Sequence, residues 1–243
     1  MINVLISLLS AAAVYALSFF LLAAGHIWSL IFGFAVMMAL NFLLSKRIMG
    51  QVQGIMESAG KVLQGGKFDL AIKTLEGGLK YGNWMFMVKS QIIAQIGIIQ
   101  FLKKDFSAAL PNLEKSPGKN WVGVGMLGVA HMKKKNREGM IKAFEKGVKA
   151  NAKEAIMWNI YAYCLSKEGE RDKAIEVLNR AVKKLPGDER TASNLKALQN
   201  KARMKMKSFG EVWYQFHLET PPMSMRVQAG ARGAKGGRKI VRR

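Results

Sequence analysis

The first 45 residues show no alternation between hydrophobic and polar positions. Ile2 to Ala24 is a nearly unbroken apolar run of 23 residues; Gly25 and His26 interrupt it, and Ile27 to Leu44 adds 18 more before Lys46 and Arg47. A helix rises about 1.5 Å per residue and the hydrocarbon core of a bilayer is about 30 Å thick, so the stretch is about twice one crossing. It predicts a transmembrane helical hairpin over residues 1–48, turning at Gly25-His26. A cleaved signal peptide is not expected, because no basic residue precedes the run and the run is too long. Two crossings put both termini on one side. Lys46-Arg47 and the basic region beyond make that side cytoplasmic by the positive-inside rule, in a bacterial inner membrane or an organelle.

Beyond residue 48 apolar and polar positions are mixed. The stretch also repeats itself. Trp158, Tyr161-Ala162 and Leu165 are followed by Gly169, Ala174, Ile175, Leu178, Ala181 and Pro186. Three weaker copies precede it. One starts near Val52, with Ala59, Gly66, Phe68, Ala71, Leu75 and Gly78; another near Ser90, with Gly97, Phe106, Ala109, Leu113 and Ser116. The third starts near Trp121, with Leu127, Gly128, Ile141, Phe144 and Gly147. This pattern resembles the tetratricopeptide repeat, whose 34 residues form two helices, A and B, with small residues at positions 8, 20 and 27. Eleven of the twelve such positions here are Gly, Ala or Ser, and only Met140 departs. Small residues let the two helices cross closely.

The resemblance predicts an all-α architecture beyond the hairpin, a helical-repeat solenoid of four repeats over residues 49–188. Their starts are 38, 31 and 34 residues apart. The extra residues of the first interval fall at Trp84-Met85-Phe86-Met87, an apolar patch against the membrane or the hairpin. Pro117-Gly118 accounts for the short second interval by ending a helix early. Residues 189–207 read as an amphipathic capping helix that closes the last apolar face.

In tetratricopeptide proteins the A helices line a concave groove that binds partner proteins. Carried over to this chain, the groove includes Met56, Leu63, Ile98, Phe101, Val129, Met132, Lys133, Asn159, Tyr163 and Lys167. It lacks the Lys/Asn/Arg clamp with which some members hold a C-terminal carboxylate. Its apolar, methionine-containing lining suits an amphipathic helix or an extended apolar segment. The same residues would equally serve packing between repeats or against the chain's own C-terminal segment.

Charge changes the picture at the other end. Residues 1–45 carry no Asp, Glu, Lys or Arg, so the whole formal charge of +22 lies beyond them. Residues 208–243 combine an aromatic stretch, with Trp213, Tyr214 and Phe216 as a docking segment, and a Gly/Ala-rich basic tail. That tail carries Arg226, Arg232, Lys235, Arg238, Lys239, Arg242 and Arg243 and no acid. A basic arm of this composition binds polyanions by counterion release. Anionic lipid, nucleic acid such as the ribosome, and an acidic protein surface all satisfy it.

Little in the sequence points to chemistry. No phosphate-cradling loop or H-E-x-x-H occurs, and His26, His131 and His217 fall in different elements. The single cysteine, Cys164, excludes an internal disulfide framework. No enzyme, cofactor, metal or small-molecule substrate is expected. The leading expectation is a membrane-anchored scaffold or adaptor that binds protein partners and helps assemble or localise a multiprotein complex. The alternatives are a membrane tether for ribosome or nucleic acid through the tail, and an accessory structural subunit of a membrane complex.

Overall fold

The structure, a computed structural model, describes residues 2–21 and 25–223. Among them it is helical throughout: α1 (Ile2–Phe20), α2 (Gly25–Gln64), α3 (Phe68–Glu76), α4 (Val88–Leu102), α5 (Phe106–Leu113), α6 (Trp121–Lys133), α7 (Arg137–Ala150), α8 (Ala155–Lys167), α9 (Arg171–Lys184), α10 (Glu189–Gln199) and the single turn α11 (Glu211–Tyr214). The chain divides into two compact units. The first holds the residues up to Leu63 with Asp69–Ile92; the second holds Gln64–Phe68 and the residues described from Ile93 on.

In the first unit α1 and α2 are long and apolar enough to cross a membrane. They approach closely at Gly33, where a Cβ would stand 3.0 Å from the Ala11 carbonyl oxygen. The Asn3 Nδ2 amide donates to Ser45 Oγ at 3.3 Å, and Tyr15 Oη is hydrogen-bonded to His26 Nδ1 at 2.9 Å. Position 48, where the sequence pattern changes, lies inside α2. That helix runs unbroken for 40 residues, about 60 Å, so it extends through the stretch expected to be helix A of a first repeat. No proline interrupts it, and Gly50 and Gly54 have open space around them. Val52 and Ala59 on α2 are buried, as are Ala71 and Leu75 on α3.

The second unit stacks helix pairs. Gly97 on α4 meets α5, where an added Cβ would be 2.9 Å from the Leu113 amide nitrogen; Gly128 on α6 faces the Phe144 ring of α7 at 2.6 Å by the same measure. Ala162 on α8 and Ala174 and Ala181 on α9 are fully buried. These are the small repeat positions, and they stand where the helices cross. Asp105, Asn120 and Asn136 cap α5, α6 and α7 by accepting from the amides of Ala108, Gly123 and Gly139 at 2.9–3.1 Å.

A further register mark lies in the backbone. Gly66, Lys104, Lys135 and Gly169 each stand fifteenth from an expected repeat start, and each takes a left-handed conformation, with φ between 57° and 85°. That residue ends helix A and turns the chain into helix B. α10 stops at Gln199, earlier than the predicted capping helix, because Lys201 turns left-handed (φ 57°).

Candidate functional site

α6 and α8 are apolar on every side: Gly123 through Ala130 and Ile156 through Leu165 are buried without interruption. α7 and α9 are amphipathic and cover one side of them. An A helix that is apolar all round needs a second cover, and the chain supplies it from its own C-terminal side.

Past Lys201 the chain doubles back, and Met204, Met206, Trp213, Tyr214 and Phe216 join the core of the second unit. Trp213 is 0% exposed and meets Tyr163 of α8 edge-on, ring centroids 4.8 Å apart. Glu219 closes the pair: the Tyr163 hydroxyl donates to its Oε1 and the Trp213 indole N–H to its Oε2, both at 3.1 Å. Burial, then the adjacent Glu219 carboxylate, push the Tyr163 hydroxyl pKa well above its ordinary value. Phe216 is also fully buried. It stacks on Trp121 at 6.4 Å and lies over Gly125, where any Cβ would come within 3.0 Å of its ring.

His217 reaches the α4 end of the groove. It stacks on Phe101 at 5.6 Å, and its Nε2 is within hydrogen-bonding distance, 3.2 Å, of the Leu102 carbonyl. Burial lowers its pKa below the ordinary histidine value; the Leu102 hydrogen bond opposes this, and Lys104 and Lys133 add to it. Its backbone is left-handed (φ 52°).

A polar ladder fastens the start of the segment. Asn159 of α8 donates to Thr191 Oγ1 at 2.9 Å, Asn194 of α10 donates to Asn159 Oδ1 at 2.9 Å, and the Lys205 amide donates to Asn194 Oδ1 at 2.6 Å. The Asn159, Thr191 and Asn194 side chains are fully buried. Each amide is satisfied, which is what makes such burial tolerable.

Of the residues assigned to the groove, Ile98, Phe101, Val129, Asn159 and Tyr163 are buried. Met132 is half-buried, and Lys133 and Lys167 are exposed, Lys167 with its ammonium 5.4 Å above the Tyr163 ring. Met56 and Leu63 lie half-buried on α2, in the first unit. The aromatic docking residues Trp213, Tyr214 and Phe216 stand against α6 and α8. The basic tail residues Arg226, Arg232, Lys235, Arg238, Lys239, Arg242 and Arg243 lie outside the described residues. Sequence reasoning missed Glu219, Thr191 and Asn194, and left His217 without a role. A usable signal was the all-round apolarity of α6 and α8, which demands a cover on both sides.

Two open clefts flank the array. One, of about 560 Å³, is lined by Lys146, Lys149, Lys183 and Lys184 around Trp158. There the Arg180 guanidinium stacks on Trp158 at 5.4 Å and bonds both Glu145 oxygens at 2.8 Å. The other contains His131, whose pKa burial lowers. Cys164 is fully buried, and burial raises its thiol pKa far above the ordinary value. Among the described residues no group of three His, Cys, Asp or Glu side chains is placed to hold a metal ion.

Comparison with known proteins agrees with the helix pairs. The tetratricopeptide-repeat family model matches residues 124–154 and 155–183, so α6 to α9 form two such repeats. A search of curated proteins returned no match. Solved structures similar to this chain include MamA, 18% identical over 79% of this chain and 98% of that one, with a TM-score of 0.49. Another is a thermophilic tetratricopeptide protein of Thermus thermophilus, 19% identical over 74% of this chain and 98% of that one, with a TM-score of 0.45.

Proposed function

We propose that the chain is a membrane-anchored adaptor whose repeat groove receives a protein segment and so helps assemble or localise a multiprotein complex at the cytoplasmic membrane face. The observation that carries the groove reading is its present occupant. Residues 204–219 show which chemistry fits there: an indole against Tyr163, a phenyl ring over Gly125, and a carboxylate between two donors. A partner segment with aromatic residues and an acid would bind by taking that place. The exposed Lys133 and Lys167 at the ends of α6 and α8 add attraction for acidic segments.

The anchor reading rests on which side chains α1 and α2 expose. Only 17% and 11% of their most apolar stretches are buried, which does not suit the core helices of a soluble protein. Leu9, Phe20, Ile27 and Trp28 point outward while Asn3, Ser7, Ser18 and Ser29 are buried. Lys46 and Arg47 support a cytoplasmic side for the repeats by the positive-inside rule. A second reading, a tether for nucleic acid or the ribosome, is favoured by the +22 formal charge and by the lysine-lined cleft beside Trp158.

The test is an affinity purification in mild detergent of the full chain and of Phe216→Ala, each with and without nuclease. The adaptor reading expects discrete proteins that ignore nuclease and are recovered in greater amount with Phe216→Ala, because the occupant's hold is weakened. Recovery of nucleic acid or ribosomal proteins that vanish with nuclease selects the tether. Equal recovery with both chains overturns the groove as the binding place. Polar substitution at Phe101 or Val129 would not serve, because both are buried within α4 and α6 themselves, whereas Phe216 belongs to the occupant.

A further inference from the structure

We propose that the turn at residues 84–87 is a membrane-interface anchor that seats Phe86 and Met87 among the lipid headgroups; this rests on reading α1 and α2 as membrane spans. Four residues are inserted here relative to the 34-residue repeat, and they are neither polar nor buried. Phe86 is 73% exposed and Met87 41%. An exposed apolar tip this large on an otherwise lysine-rich surface marks a contact with something apolar.

The tip is held, not loose. A 3₁₀ turn at Leu79–Asn83 leads into it, and Gly82 lies so close to Lys89 that a Cβ would stand 2.8 Å from the Lys89 Cβ. Met87 then takes a left-handed backbone (φ 68°), and its carbonyl accepts from the Gln91 amide at 2.9 Å to start α4. A non-glycine residue in this conformation is strained, and the strain ends an apolar tip pointed outward.

The depth of the tip follows from contacts within the first unit. The Asn3 amide, one residue into α1, lies 3.5 Å from the Trp84 carbonyl. The Asn3 side chain donates to Ser45, which stands between the end of the apolar run at Leu44 and Lys46-Arg47. Asn3 and Ser45 mark the same edge of the hairpin, so Trp84 lies at the water–lipid boundary. Tryptophan and tyrosine favour that level, and Tyr81 and Trp84 are both half-buried there. Exposed Lys80 and Lys89 flank the tip, placed to meet the phosphates of anionic headgroups.

The experiment places an environment-sensitive fluorophore at single cysteines in the full chain, reconstituted into vesicles of phosphatidylcholine and phosphatidylglycerol with brominated acyl chains. Wild-type Cys164 is fully buried and does not compete for the label. Three sites are compared: Phe86→Cys, Leu9→Cys on the outer face of α1, and Lys135→Cys on the exposed turn after α6. The proposal expects blue-shifted emission from the Phe86 label with partial loss to brominated lipid, less than at Leu9, and no loss at Lys135. A Phe86 label as unquenched as that at Lys135, with Leu9 still quenched, overturns the anchor and leaves the spans intact. Absence of quenching at Leu9 overturns the spans themselves, and the anchor with them.

Discussion

The two membrane-length helices and the repeat helices are built inside out with respect to each other. In α1 and α2 the buried side chains include Asn3, Ser7, Ser18 and Ser29, while Leu5, Leu9, Phe20, Trp28 and Phe42 are more than half exposed. In α6 to α9, Phe144, Met157, Leu165 and Leu178 are buried, and Lys142, Lys149, Lys173 and Lys183 are exposed. Both regions need close helix crossings, and both use glycine for them, Gly33 in one and Gly97 and Gly128 in the other. The shared backbone rule and the opposite side-chain rule separate two requirements. Close crossing is a matter of shape; which residues face outward is a separate matter, and on the proposed anchor reading it records the solvent.

That contrast can be broken most directly with two tryptophans. Trp213→Ala removes a fully buried ring from the array and is expected to cost about 3–5 kcal/mol of stability. Trp28 is 61% exposed, and Trp28→Ala is expected to leave the thermal unfolding of the array in detergent unchanged. Similar losses from both would dissolve the distinction. Next in size, Gly128→Val drives a side chain into the Phe144 ring and should cost about 1–3 kcal/mol, read from the same melts.

A smaller effect depends on pH. His217 has its pKa lowered in the folded chain, first by burial, so the docked segment favours the neutral ring. Its contribution is complete above the unfolded value, about 6.5, and is lost as pH falls through the lower folded value. Protection of the amides of residues 206–219 against hydrogen exchange, taken relative to the intrinsic rate at each pH, should therefore fall on going from about pH 7.5 to about pH 5.5, and a His217→Asn chain should lose that difference. Smallest of all, Lys135→Gly relieves a left-handed lysine and should stabilise by about 0.5–1 kcal/mol. A destabilisation instead would mean that the Lys135 side chain has a role that outweighs its backbone strain.

The repeats were legible because the requirement at positions 8, 20 and 27 is one of size, and size is written in Gly, Ala and Ser. Two long apolar helices at the N-terminal side were legible for a similar reason, since an unbroken apolar run needs no pattern to be seen. What the sequence did not disclose was the continuity of α2. A change from lipid-like to amphipathic pattern at Lys46 looks like a boundary, yet nothing there breaks a helix. The groove residues were harder still. Phe101 and Val129 are of the type that suits either a partner or a core, and only the position of residues 204–219 separates the two. Glu219 was invisible for the opposite reason: a single carboxylate has no periodicity, and its role comes from Tyr163, 56 residues earlier.

The groove's own ligand lies downstream of the groove, and this gives it a history. On a growing chain α6 and α8 are complete at Lys167, while Phe216 is added 49 residues later. At about 5–20 residues per second that is an interval of about 2–10 s. During it the groove exists without its occupant. On the proposed adaptor reading, a partner present at the ribosome would meet an open site, whereas a partner arriving afterwards would have to evict Trp213 and Phe216. The same two proteins would thus assemble quickly if made together and slowly if mixed after synthesis.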